Sequence, residues 1–89
     1  MLPLTMASQG EPMTIKKIGG KQETKKFLET LGFVVGGTVT VVSEINGNMI
    51  VNVKDSRVAI GKDMANKISL IPFYEVPVLY KTFPFHELQ

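Results

Sequence analysis

The 89-residue sequence contains no cysteine, no tryptophan and only one histidine. Without cysteine there is no disulfide, no thiolate metal site and no cysteine nucleophile. The lone histidine, His86, lies near the C-terminus, where catalytic geometry is difficult to hold. One histidine also cannot supply the sets of imidazole and carboxylate ligands that many transition metals prefer. We therefore predict a protein that is not an enzyme, with no catalytic residue, no metal site and no cofactor.

An excess of charge of one sign is also absent, since ten basic residues face eight acidic ones. The resulting net charge of +2 is too small to indicate a nucleic-acid-binding protein by itself. The first ten residues contain no lysine or arginine, unlike a signal peptide. No apolar run approaches the ~18 residues that a membrane span requires. We expect a soluble, cytoplasmic protein without a membrane span.

Composition divides the chain into two predicted parts. Residues 1–71 contain all eight glycines and only two of the seven aromatic residues, which is typical of a compact domain. Residues 72–89 contain the other five aromatics and no glycine, which predicts an aromatic C-terminal extension with an interaction role. Three alternatives remain open for this extension: it folds back over its own domain, crosses to a second protomer, or stays disordered until a partner binds. In the second alternative, the residues that would form a homodimer are Val78, Tyr80 and Phe83.

A strand followed by a helix is predicted in the first half of the chain. Met13 and Ile15 alternate with polar residues, which indicates a strand that ends near Ile18. From Lys21 to Leu31 the apolar spacing becomes helical. Gly32 is then expected to adopt the left-handed conformation just after the helix, which places Phe33 back against the helix end at Leu28.

The rest of the domain shows the two-residue period of short strands. Asn46-Gly47 predicts a tight hairpin turn, because both central positions of such a turn require positive φ. Asp55-Ser56 predicts a second turn, residues 61–66 a single helical turn, and residues 68–71 a closing strand. Together these signals predict a mainly β fold: a small, partly open barrel of about five strands with one inserted α-helix.

The order of these signals resembles the FeoA family of bacterial ferrous-iron-transport accessory proteins over roughly residues 2–71. The resemblance is carried by Phe-Leu-Glu-Thr-Leu-Gly-Phe at residues 27–33, by Val-Gly-Gly-Thr-Val-Thr-Val-Val at residues 35–42 and by Arg-Val-Ala-Ile at residues 57–60. The sequence departs from the family pattern at Val35, where proline is usual, and at Phe27, which displaces an arginine. The resemblance implies an SH3-like barrel, a cytoplasmic location and a partner: the ferrous iron permease FeoB, whose cytoplasmic part contains a guanine-nucleotide-binding domain.

The end of the predicted helix is the preferred candidate for a partner-binding surface. Apolar side chains surrounded by lysines have the anatomy of a small interface. The alternative is that the apolar members of this surface only close one end of the barrel. The candidate residues are Lys25, Lys26, Phe27, Leu28, Leu31 and Phe33.

Five lysines lie within residues 16–26, and they form either a solvated face or a docking surface for an acidic partner. The acidic candidates are a protein domain, an anionic membrane surface and nucleic acid. Nucleic acid is disfavoured, because no aromatic residues alternate with these lysines for base stacking. Gly19-Gly20-Lys21 is not a phosphate-binding loop, since Ile15 stands where such a loop requires its first glycine.

The sequence therefore supports three hypotheses for the function. The preferred one is a non-enzymatic adaptor that docks on FeoB and modulates its transport or nucleotide cycle. The second is an accessory domain that acts on an iron-dependent transcriptional repressor, because a related barrel forms the C-terminal domain of such repressors. The third is an SH3-like module for proline-rich peptides, which would need clustered aromatic side chains that the first 71 residues lack.

Overall fold

A computed structural model describes residues 1–72 of the chain. These residues form six antiparallel strands and two helices. The strands lie in one open sheet, in the spatial order Leu2–Pro3, Ile68–Pro72, Pro12–Ile18, Thr38–Ile45, Asn48–Val53 and Ser56–Gly61, and a 3-10 turn at Leu4–Met6 follows the first strand. This architecture confirms the predicted mainly β, partly open fold. In chain order, the elements are β1 (Leu2–Pro3), β2 (Pro12–Ile18), α1 (Gln22–Leu31), β3 (Thr38–Ile45), β4 (Asn48–Val53), β5 (Ser56–Gly61), α2 (Lys62–Ala65) and β6 (Ile68–Pro72).

The predicted count of about five strands is one short of the six that the structure shows. The missing strand is β1, whose two residues pair with β6 through Leu2 opposite Leu70 and Pro3 opposite Ser69. Two residues cannot show a periodicity, so this pairing leaves no local signal in the sequence.

The hydrophobic core lies on one face of the sheet, between the sheet and the two helices. Along β3 and β4, buried residues alternate with more exposed ones, as expected for strands with one face toward a core. Among residues 1–72, no polar or charged side chain is buried. The buried apolar residues are Leu4, Met13, Ile15, Leu28, Phe33, Val39, Val41, Met49, Val51, Val53, Ile60, Ala65, Ile68 and Leu70.

Two tight turns join β3 to β4 and β4 to β5. The predicted hairpin at Asn46-Gly47 is confirmed, with φ values of 50° and 82°. The second turn lies one residue earlier than predicted, at Lys54-Asp55, with φ values of 49° and 64°. Val53 pairs with Ser56, so Ser56 already belongs to β5. Neither Lys54 nor Asp55 is the glycine that usually marks such a turn, which explains the shift.

Helix α1 begins at Gln22, one residue later than predicted, and ends against the left-handed Gly32, as predicted. Gly32 has a φ of 108°, and its N–H donates a 2.9 Å hydrogen bond to the Glu29 carbonyl. The N–H of Phe33 donates a 3.0 Å bond to the Leu28 carbonyl, which is the pairing of a glycine-terminated helix. This geometry brings the Phe33 side chain into the same core as Leu28.

Within residues 1–72, no helix combines the length and the apolar character that a membrane crossing requires. The predicted C-terminal extension, with Val78, Tyr80 and Phe83, lies outside the described residues apart from Pro72, which ends β6. Its role and its boundary with the domain therefore stay predictions.

Candidate protein-interaction site

The predicted partner-binding surface does not form one continuous patch. Leu28 and Phe33 have 0% exposure, so their side chains cannot touch a partner in this fold. They are core residues because the left-handed turn at Gly32 folds Phe33 under the helix end. Leu31 is half-buried and packs against the same core. Only Lys25, Lys26 and Phe27 remain with largely exposed side chains.

Phe27 is separated from the exposed residues on the other side of the helix. Its side chain is 49% exposed. An α-helix turns by about 100° per residue, so Phe27 points away from both Lys25 and Glu29, each two positions distant. The Thr30 hydroxyl donates a 2.5 Å hydrogen bond to the Phe27 carbonyl at this end of the helix. Phe27 and Lys25 therefore belong to two different faces of α1.

An open groove of about 390 Å³ lies beside α1, on the side of Lys25. We call it the α1 groove. Its apolar wall includes Val35, which is 64% exposed although valine is normally a core residue. The lining residues are Ile18, Gln22, Lys25, Lys26, Glu29, Phe33, Val34 and Val35.

The loop that carries Val35 is fixed to the sheet by backbone hydrogen bonds. The Gly36 N–H donates a 2.8 Å bond to the Ile15 carbonyl, and the Ile15 N–H donates a 2.9 Å bond to the Gly37 carbonyl. A third bond, of 2.9 Å, runs from the Gly37 N–H to the Val34 carbonyl. Gly36 has a φ of 91°, a conformation that glycine adopts without strain. The groove thus presents an apolar side chain from a fixed loop.

Sequence reasoning missed Ile18, Val34 and Val35 as parts of this site. The groove forms only when α1, the end of β2 and the following loop pack together, and periodicity does not report such contacts between elements. The one local signal is at Val35, which replaces the proline that is usual in the pattern described above.

A second, larger concavity of about 530 Å³ lies on the outer face of β3 and β4. We call it the β3–β4 concavity. Val53 is its only apolar lining residue and is already buried in the core, so it offers little to an apolar partner. The concavity is lined by Thr38, Thr40, Asn52, Val53, Lys54 and Asp55. We consider the α1 groove the better interaction site, because exposed apolar anchors dominate binding energies.

Metal binding and ion pairing depend on how the ionisable side chains of the described residues are grouped. Within residues 1–72, no three His, Cys, Asp or Glu side chains are grouped so that they could hold a metal ion. The one ion pair found there joins Lys62 Nζ to Glu44 Oε2 at 2.6 Å, and both side chains are more than 40% exposed. Such exposed pairs contribute at most about 1 kcal/mol. The absence of a metal site and of a cofactor in the whole chain stays a prediction.

Comparison with known proteins matches residues 2–72 to the FeoA domain family. A curated relative, a putative Fe(2+) transport protein A from Methanocaldococcus jannaschii, is 35% identical over 68 residues. That match covers 76% of this chain and 83% of the relative. The match therefore extends over most of both chains.

Solved structures of FeoA proteins have the same fold. A crystal structure of an iron uptake regulatory protein, FeoA, matches with a TM-score of 0.73 and 27% identity, over 79% of this chain and 93% of the other. The FeoA of Stenotrophomonas maltophilia, solved in complex with zinc and described as a prokaryotic SH3 domain protein, matches with a TM-score of 0.69. It is 18% identical, over 80% of this chain and 91% of the other. These matches confirm the SH3-like fold.

A manganese-dependent transcriptional repressor contains a similar domain, with a TM-score of 0.72 and 18% identity. This match covers 80% of this chain but only 41% of the repressor, and it shows a shared fold alone. By contrast, the family match extends over most of the 89 residues and is supported by a relative of 35% identity. The chain belongs to the FeoA family.

Proposed function

We propose that this chain is a non-enzymatic, cytoplasmic adaptor of ferrous iron uptake that docks on the cytoplasmic, G-protein-containing part of FeoB. The proposal rests on the family membership and on one structural observation. That observation is the α1 groove, in which Val35 stays 64% exposed at the end of a fixed loop. When a partner covers an apolar side chain held in this way, the free energy of the complex is lowered.

The groove has the composition of a small interface. Its lining combines apolar side chains, among them Ile18 and Val35, with the charged Lys25, Lys26 and Glu29, which we take as the centre and the rim. Interfaces commonly place an apolar centre inside a polar rim, because the rim excludes water while the centre supplies most of the energy. Charges of both signs on the rim favour one orientation of the partner over others.

An adaptor of this kind acts by binding one state of its partner more tightly than another. A ligand shifts a conformational equilibrium only by its difference in affinity for the two states, and each factor of ten requires about 1.4 kcal/mol. Contacts to a few apolar and charged groups are sufficient for a factor of this size. No reactive group on the adaptor is then needed to change the rate of transport or of the nucleotide cycle.

The other two hypotheses have weaker support. The shared fold with a repressor domain agrees with an accessory role toward such a protein, but no residue-level feature favours it. A module for proline-rich peptides needs several aromatic side chains around one groove. Within residues 1–72 the aromatic residues are Phe27 and Phe33, of which Phe33 is buried and Phe27 faces away from the groove.

The test is a binding titration of the full chain with the purified cytoplasmic part of FeoB from the same organism. We expect Val35→Asp to weaken binding by about 30-fold, the effect of losing a central anchor of an interface. Ile45→Asp is the matched control, because Ile45 is also exposed, at 54%, and receives the same charge. Ile45 lies at the far end of β3, about 23 Å along the strand from Thr38, and should leave the affinity within twofold.

Three outcomes would contradict the proposed site or the proposed partner. Equal effects of the two aspartate variants would exclude the groove as the contact. A loss of binding with Phe27→Ala but not with Val35→Asp would place the contact on the opposite face of α1. No measurable binding by the unmodified chain would remove FeoB as the partner.

A further inference from the structure

Four exposed lysines outside the α1 groove lie on three neighbouring segments of the fold, since β2 pairs with β6 and Gly19 contacts Lys67. They are Lys16 and Lys17 of β2, Lys21 at the start of α1, and Lys67 between α2 and β6. We call them the lysine surface. Lys67 is distant in sequence from the other three, so this cluster is a product of the fold.

Backbone contacts fix the position of Lys67 beside the start of α1. The Gly19 N–H donates a 2.7 Å hydrogen bond to the Lys67 carbonyl. The Lys67 side chain then passes over Gly20, since a Cβ at Gly20 would lie 2.9 Å from Lys67 Cδ. Gly20 has a φ of 95° and lacks the side chain that would obstruct this path. Lys67 is thereby brought close to Lys21, the residue that follows Gly20.

The charges of the lysine surface are not neutralised within the domain. In the part of the chain that the structure describes, the single ion pair joins Lys62 to Glu44 and involves none of these four lysines. Glu23, on the first turn of α1, is the one acidic residue within residues 16–26. Uncompensated lysines on neighbouring segments of a small domain create a local positive potential despite the small net charge.

An exposed apolar side chain lies in the 3-10 turn, which contacts the residue before Lys67. The Thr5 hydroxyl donates a 2.7 Å hydrogen bond to Asn66 Oδ1, which ties the 3-10 turn to the residue before Lys67. Met6, the next residue in that turn, is 72% exposed. Methionine is flexible and apolar, and therefore suits insertion into the boundary between lipid headgroups and acyl chains.

We propose that the lysine surface, together with Met6, docks the protein on an anionic lipid bilayer. Charge complementarity is the basis: each lysine near an anionic membrane surface strengthens binding by about fivefold. Met6 adds an exposed apolar side chain, which favours a bilayer over a purely acidic protein surface. Nucleic acid is disfavoured, because the single arginine, Arg57, lies on β5, and Phe27 is the only exposed aromatic residue within residues 1–72.

This proposal goes beyond the docking on FeoB and does not depend on it. The lysine surface and the α1 groove share no residue, although both adjoin α1. A bilayer contact through the first would hold the second close to the membrane surface. The chain could thus reach a membrane-bound partner by diffusion along the bilayer.

The test is co-sedimentation of the full chain with phosphatidylcholine vesicles that contain or lack phosphatidylglycerol. We expect binding to the anionic vesicles only, and a fall with added salt. The triple variant Lys17→Gln, Lys21→Gln and Lys67→Gln should bind about 100-fold more weakly, at about fivefold per lysine. The control, Lys54→Gln, Arg57→Gln and Lys62→Gln, loses the same charge elsewhere and should lose less than fivefold. Circular dichroism melts establish that both triple variants are folded.

Several results would overturn the proposal. They are equal losses in the two triple variants, equal binding to both kinds of vesicle, or tighter binding to a duplex DNA probe than to anionic vesicles at the same salt. Val35→Asp separates this proposal from the docking on FeoB. That variant should sediment with anionic vesicles like the unmodified chain, and the lysine-surface variant should keep its affinity for the soluble cytoplasmic part of FeoB within about fivefold.

Discussion

Replacing Phe33 with alanine is expected to lower the free energy of unfolding by about 3–5 kcal/mol, the range for a buried phenylalanine. Phe33 is fully buried and fills the space between the end of α1 and the sheet. A small domain has a total stability of about 5–15 kcal/mol, so this loss would remove a large share of it. Urea denaturation followed by far-ultraviolet circular dichroism measures the change.

Phe27→Ala is the matched control for Phe33→Ala, since the same side chain is removed from a nearby position. Phe27 is 49% exposed, and its removal opens no enclosed cavity. We expect a loss of about 1 kcal/mol or less, as for most surface substitutions. Similar losses in the two variants would mean that Phe33 does not occupy the core.

Gly32→Ala should destabilise the protein by about 1–2 kcal/mol, the cost of a left-handed conformation for a residue with a Cβ. Gly32 has a φ of 108° and ends α1 through its hydrogen bond to Glu29. A Cβ there would lie 3.5 Å from Val53 Cγ1, an ordinary contact distance. The expected loss therefore comes from the backbone conformation and not from a steric clash. Thermal unfolding of the variant measures it.

Gly61→Ala provides the control for Gly32→Ala. Gly61 has a φ of −70°, which alanine adopts freely, and the nearest atom to a new Cβ is Asn48 Oδ1 at 3.8 Å. Removing flexibility from the unfolded chain should make this substitution neutral or stabilising by up to about 1 kcal/mol. If Gly61→Ala destabilises as strongly as Gly32→Ala, backbone strain at Gly32 is not the cause.

These stability effects also decide which variants can test partner binding. Leu28→Ala is an attractive substitution from sequence alone, because Leu28 belongs to the predicted partner-binding surface. The structure places Leu28 at 0% exposure, where truncation to alanine costs about 2–5 kcal/mol. A loss of binding by that variant would report unfolding. Val35→Asp avoids this difficulty, because Val35 lies on the surface.

Local signals predicted most of the fold. The Asn46-Gly47 turn and the left-handed Gly32 follow from backbone geometry that few residues other than glycine and asparagine adopt easily. The strands around Met13 and Val51 follow from alternation, because one face of each strand meets the core. Such features depend only on neighbours in the sequence, and a sequence pattern can report them.

Features that depend on contacts between distant residues were not predictable in this way. The pairing of β1 with β6, the groove wall at Val35 and the position of Lys67 beside Gly20 all arise from packing between separate elements. The same applies to Leu28 and Phe27 on α1. Helical spacing identifies both as apolar, but only the position of the sheet decides that Leu28 is buried and Phe27 is half-exposed.

The most direct measurement of the proposed docking is a nuclear magnetic resonance titration of the isotopically labelled full chain with the unlabelled cytoplasmic part of FeoB. We expect the amide signals of the α1 groove to shift or broaden first, in particular those of Ile18, Lys25 and Val35. Signals of the β3–β4 concavity, such as those of Thr40 and Asn52, should stay unchanged. Perturbations centred on that concavity, or none at saturating partner, would contradict an adaptor that docks through the α1 groove.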